Sequence, residues 1–133
     1  MKKSKKILVD MSASIIHHGH IRLLKKASKY GKVIIGLTTD KDLKKFKNFN
    51  PEIKFRNRAE ILKSIKYVYK VIPSNYIVDD KFVTKNKINL VINGADYKNR
   101  KFKVRSIYFD RTKNISSSII RKRAAKNYEK TKK

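Results

Sequence analysis

Apolar positions in this chain follow two spacings. The run Lys6-Ile7-Leu8-Val9-Asp10-Met11 is short and sits behind a charged start, which reads as a buried strand. Ser12, Ala13 and Ser14 make a turn of small residues. From His20 the period becomes helical. Leu23, Leu24, Ala27 and Ser28 share one face, with Arg22, Lys25, Lys26 and Lys29 opposite. Gly31 is placed to stop that helix as its C′ residue. Lys32–Thr38 is rich in β-branched residues and reads as a second buried strand. Strand, helix and strand in such close succession form a βαβ unit, and hence a parallel sheet.

Residues 40–55 are polar, basic and poorly periodic, which predicts a mobile loop with a short helix around 42–46. Asn57 is placed to cap a helix through Tyr67, with Ala59, Leu62, Ile65 and the stem of Lys66 on one face. Residues 69–72 read as a third strand, ended by Pro73, and 80–87 as a weak helix. Residues 89–93 form the clearest late strand, stopped at Gly94; 106–109 form another, and a final helix runs from Ser117 to about Asn127. About five strands alternating with helices predict one α/β domain over residues 1–133. Its expected form is a Rossmann-like, doubly wound, mainly parallel sheet with helices on both faces and ligands at the carboxyl ends of the strands.

Composition narrows the chemistry. There is no cysteine, which excludes disulfides, thiolate metal sites and a cysteine nucleophile. No apolar run approaches the ~18 residues of a membrane span. The basic start has the look of a signal peptide, but Asp10 interrupts its apolar stretch, so a cytoplasmic protein without membrane insertion is expected. Charge is the outlier, at a formal +26. Such a surface attracts polyanions. The lysines are spread along the whole chain, however, and only the stretch from about residue 121 resembles a basic tail. A nucleic-acid partner is therefore admissible but not favoured over a solvated lysine-rich surface.

All three histidines fall in His17-His18-Gly19-His20. His17 and His20 are three apart, as on one face of a first helical turn. A helix N-terminus attracts phosphate, imidazoles there can donate to phosphoryl oxygens, and Gly19 lets an anion approach the backbone. Three other readings stay open. The pair is a His-x-x-His metal site without an obvious third ligand; it is a helix cap without chemistry; or it is a general base, for which Asp10 is the nearby candidate carboxylate.

His17-His18-Gly19-His20 resembles the HxGH motif of the nucleotidyltransferase superfamily that includes the cytidylyltransferases. Arg111-Thr112-Lys113-Asn114-Ile115-Ser116-Ser117-Ser118 resembles the RTEGISTT motif of the glycerol-3-phosphate cytidylyltransferases. Residues 58–73 are similar to the family's helix and strand after its mobile loop, and Gly94-Ala95-Asp96-Tyr97 to its GDDW segment. Met11-Ser12-Ala13-Ser14 looks like the MSAD turn of phosphonate-linked cytidylyltransferases, while Gly-Ala-Asp-Tyr leans toward sugar-phosphate adenylyltransferases.

The resemblance implies transfer of CMP from CTP to a small phosphorylated alcohol or a phosphonate, with pyrophosphate released. It makes His17 and His20 catalytic. Ser12, Ala13, Gly19, Asp96, Arg111, Thr112, Ile115, Ser116, Ser117 and Ser118 would bind nucleotide, and Arg58, Lys45 and Lys47 the second substrate. Mg²⁺ would accompany CTP without protein side-chain ligands, and relatives of this type are commonly homodimers. A nucleotide- or RNA-binding protein of weak activity on the same fold is the alternative of another class. Three departures stand out. Ser14 replaces a usual acid, Met11 a frequent glycine, and Asn114 a motif glycine, although asparagine tolerates the left-handed backbone best after glycine.

Overall fold

The computed structural model describes residues 4–132, apart from the side chain of Asp96. Five strands form one parallel sheet: β1 (Lys6–Met11), β2 (Lys32–Thr38), β3 (Val68–Ser74), β4 (Leu90–Gly94) and β5 (Arg105–Phe109). Between and after them come α1 (His18–Ser28), α2 (Asp40–Lys47), α3 (Phe55–Lys63), α4 (Asp80–Lys85) and α5 (Ser117–Thr131), with a 3-10 turn at Ala95–Tyr97. The spatial order is β3-β2-β1-β4-β5. The chain's winding direction reverses between β1 and β4, which opens a crevice at the carboxyl ends of those strands.

Alternation along β1 explains the layering. Ile7, Val9 and Met11 pack with Leu24 and Ala27 of α1 and Leu62 of α3. Leu8 points the other way, into a second cluster with Ile34, Val91 and Val83 of α4. Helices therefore cover both faces of the sheet, as expected of a doubly wound fold. Each fully buried leucine or isoleucine here contributes about 1.5–3 kcal/mol.

Several boundaries differ from the pattern. The short helix expected around 42–46 is present and longer, from Asp40 to Lys47. Thr39 caps it by accepting the Asp42 N–H at 3.3 Å, Asp40 and Asp42 lie in its first turn, and lysines fill its last. Only Leu43 of that helix is buried, so its apolar period is faint. The next helix starts at Phe55, not after Asn57, and ends at Lys63, although Ile65 still packs on the core. Strand β3 continues through Pro73, which is tolerated because β3 is an edge strand.

Gly31 lies beyond the Lys29 cap of α1 with φ +158, where a Cβ would collide with the carbonyl oxygen of Lys5. Close approach, not helix termination, is its role. The basic stretch from 121 is helical through Thr131, and no residue of α5 is buried. Among the described residues no helix is long and apolar enough to cross a membrane.

Candidate active site

The turn from β1 into α1 is held in an uncommon shape. Ala13 is buried with φ +44, a left-handed angle that costs a non-glycine residue roughly 1 kcal/mol and marks an over-determined loop. Arg58 supplies that determination from below. It is fully buried and donates to the carbonyls of Ile53 (2.9 Å), Ser12 (2.5 Å) and Thr38 (3.0 Å) and to Asp40 Oδ1 (2.6 Å). From above, Ser117 Oγ accepts the Ile15 N–H at 3.2 Å and donates to the Ile15 carbonyl at 2.8 Å.

His17 is the N-cap of α1 rather than part of its first turn. Its Nδ1 accepts the Gly19 N–H at 3.1 Å, and His20 Nδ1 accepts the His17 N–H at 3.1 Å. Both Nδ1 atoms are thus acceptors, so each neutral ring carries its proton on Nε2. The rings lie 3.9 Å apart between centroids. Burial, then the neighbouring His18 and Arg111, push the His17 pKa below its ordinary 6.5. Burial, then His17 and Arg111, push His20 to about 3. The pair is a set of neutral Nε2–H donors at neutral pH.

A stability consequence follows. His20 titrates near 6.5 when unfolded and near 3 when folded, so its contribution is full above pH 6.5 and is lost as pH falls toward 3. Melting temperature is expected to drop on acidification across that window more steeply in the wild type than in His20→Asn; equal slopes would refute the assignment.

Gly19 serves the histidine. A Cβ there would lie 2.9 Å from Cε1 and Nδ1 of His17 and 3.3 Å from Ile115 Cγ2. The missing side chain makes room for the ring first. Gly19→Ala is therefore expected to displace His17, break its cap bond and lower turnover at least tenfold, with a loss of about 1 kcal/mol in stability. Parallel assays of turnover and unfolding check this.

A cleft of about 360 Å³ opens over this turn. Ser12, Ala13, Gly19, His17 and His20 line one wall, and Arg111, Thr112, Ile115, Ser116, Ser117 and Ser118 line the facing one. Asn114 has φ +64, the left-handed angle that asparagine tolerates. Ser116 caps α5 by accepting the Ile119 N–H at 3.1 Å. The backbone of Asp96 lies in the 3-10 turn beside the cleft; its side chain falls outside the described structure.

The expected second-substrate residues separate. Lys47 lines the cleft, its Nζ 5.6 Å from the Tyr76 ring centroid. Lys45 is not among the lining residues and sits over Phe46, 5.3 Å from its centroid. Arg58 has no surface to offer a substrate; it is a clamp beneath the site, which corrects the expectation of a direct contact.

The lining residues Asn93 and Arg121 are not singled out by the sequence, whereas Asp10 is its candidate carboxylate for a general-base histidine. Asp10 is turned away from any orienting role toward the imidazoles. Its Oδ1 accepts Asn93 Nδ2 at 2.6 Å, and both its oxygens accept Arg100 at 2.9 Å. Asn93 Oδ1 and Arg100 Nε are buried without a protein partner. On the other side, Arg121 reaches Ser14 and Glu52. Neither arrangement has a local signature, because each joins residues more than 60 positions apart. Among the described residues, no three His, Cys, Asp or Glu side chains are grouped to hold a metal.

Residues 12–123 match the family model for cytidylyltransferase-like proteins. The chain belongs to the cytidylyltransferase-like family. It is 32% identical over 125 residues to a glycerol-3-phosphate cytidylyltransferase of Bacillus spizizenii, covering 89% of this chain and 95% of that one. It is 29% identical over 123 residues to the Staphylococcus aureus enzyme of the same name, covering 88% and 92%. A solved structure, the lipopolysaccharide core biosynthesis protein of Thermoplasma volcanium, superposes with a TM-score of 0.69. That match has 16% identity over 83% of this chain and 99% of the other, and it shows the shared fold. This cytidylyltransferase-like protein is thus an enzyme of the cytidylyltransferase type, built on a parallel α/β sheet.

Proposed function

We propose that this enzyme transfers CMP from CTP to a small phosphorylated alcohol of the glycerol 3-phosphate kind. An oxygen of the acceptor phosphate attacks the α-phosphorus of CTP, the bond from that phosphorus to the bridging oxygen breaks, and pyrophosphate leaves. The attacking oxygen is already ionised at neutral pH, so the protein has no proton to remove. Its task is positioning and stabilisation of the charge that grows on the α-phosphoryl oxygens.

One observation carries the reading. The capping bonds fix both imidazoles as neutral Nε2–H donors at the start of a helix, opposite Arg111, with their protons committed before substrate arrives. Donors held in place for a developing oxyanion need no reorganisation in the transition state. The serines and free N–H groups at the start of α5 suit the β- and γ-phosphates. The two relatives named for glycerol 3-phosphate support the acceptor.

The donor set also bears on Mg²⁺. Asp10 is already engaged by Asn93 and Arg100, and Glu52 by Arg121. Asp110 is the other described carboxylate lining the cleft, so a Mg²⁺ ion would be held mainly by the triphosphate and would screen charge on the leaving pyrophosphate.

Pyrophosphate release tests the reading, with CTP or ATP paired with glycerol 3-phosphate, a phosphonate or a sugar phosphate. Release is expected to be fastest with CTP and glycerol 3-phosphate. Turnover with ATP alone, or with the phosphonate alone, would overturn the nucleotide or the acceptor respectively.

A further inference from the structure

One arginine in the cleft is neutralised from outside it. Arg121 lies four residues beyond Ser117, on the face of α5 that meets the β1–α1 turn. Its Nη2 donates to Ser14 Oγ at 3.1 Å. Its Nε and Nη2 grip the two Glu52 oxygens at 2.5 and 2.8 Å, and its guanidinium lies 4.6 Å from the Phe49 ring centroid. Arg121, Ser14, Phe49 and Lys47 line the cleft, whereas Glu52 does not and is 44% exposed. The hydrogen bonds from Arg121 hold the Glu52 carboxyl below its ordinary range.

Three physical points converge on these groups. Ser14 is buried and neutral, so it orients Arg121 without cancelling its charge. The cancelling carboxylate comes from the solvent side in a partly exposed pair, where water and salt screen it and a competing anion can reach the guanidinium. A forked grip on two carboxylate oxygens is also the grip that fits two phosphoryl oxygens. Position selects which phosphate. Arg121 stands on Phe49, in the segment after α2 that follows Lys47, while Arg111 and Thr112 follow β5 on the opposite half of the sheet.

We propose that Arg121 and Ser14 Oγ, beside Lys47, form the subsite for the acceptor's phosphate, and that Glu52 holds the guanidinium only until that phosphate displaces it. This rests on the nucleotidyl-transfer reading and names the residues that take the second substrate. Arg121 exchanges carboxylate oxygens for phosphoryl oxygens, and Glu52 is released to water.

Two measurements test it. In steady-state assays with CTP and glycerol 3-phosphate, Arg121→Gln should raise the acceptor KM roughly tenfold or more, the loss of a charged hydrogen bond. Ser14→Asp should raise it too, by adding a competing carboxylate, and Glu52→Gln should lower it. The CTP KM should stay unchanged in all three. A raised acceptor KM in Glu52→Gln would make the ion pair a mere strap and overturn the proposal, as would effects confined to CTP. Separately, the nitrogen-15 Nε–H resonance of Arg121 is followed while inorganic phosphate is titrated into CTP-saturated protein. A saturable shift, reached at lower phosphate in Glu52→Gln, is expected; an unmoved resonance overturns the subsite. This second measurement stands even if glycerol 3-phosphate proves not to be turned over, a result that would sink the acceptor reading alone.

Discussion

Replacing His20 by alanine is expected to lower kcat by roughly 10²–10³-fold, the usual effect of removing one preorganised oxyanion donor. The ring has two jobs, and they separate by measurement. Its Nδ1 receives the His17 N–H, a cap bond worth about 1 kcal/mol of stability. Its Nε2–H is, in the proposed reaction, the donor to the α-phosphoryl oxygens, a contact that counts in the transition state. His20→Asn can retain a side-chain acceptor for the cap while misplacing the donor. It should therefore fold nearly as well as the wild type and turn over nearly as poorly as His20→Ala. Retention of kcat within tenfold in either variant would remove the catalytic assignment. Because burial depresses both imidazoles, His20 to about 3, any inflection they cause in the rate should fall below pH 6.5.

Arg58→Met is expected to destabilise the fold by about 3–5 kcal/mol, the range seen when one member of a buried charged network is removed. Methionine fills much of the volume but leaves the carbonyls of Ser12, Thr38 and Ile53 without their donor and Asp40 without its partner. A fall in melting temperature of roughly 10 °C or more should accompany it. Lysine is not a conservative replacement, since one ammonium cannot span four acceptors set around a planar fork. A loss under 1 kcal/mol in chemical denaturation would mean that the turn is held by something other than this clamp.

The same residue shows where a sequence stops being readable. The strands declared themselves because β1, β2 and β4 are buried on both faces and appear as continuous apolar runs. The histidine turn and the Arg111–Ser118 segment stand out in the sequence because their patterns are local, and both line the cleft. The resemblance assigns Arg58 to the second substrate, and nothing in its sequence neighbourhood reveals burial. Its partners arrive from positions 12, 38, 40 and 53, which only the folded chain brings together. The start of α3 was misplaced for a similar reason. Lys54 offers no capping side chain, and the Phe55 N–H is satisfied instead by Asp40, 15 residues earlier. Local capping rules point to Asn57, while tertiary capping selects Phe55.

The clasp between Ser117 and Ile15 joins positions 102 residues apart. Such a contact closes late, because the loop it ties must first be ordered by the sheet between. A growing chain emerging from the ribosome can assemble β1, α1 and β2 well before residue 117 exists. It cannot yet pin the turn that carries the imidazoles. A chain cut short before α5 is therefore expected to keep the sheet residues but lack the Ser117 clasp over the histidine turn.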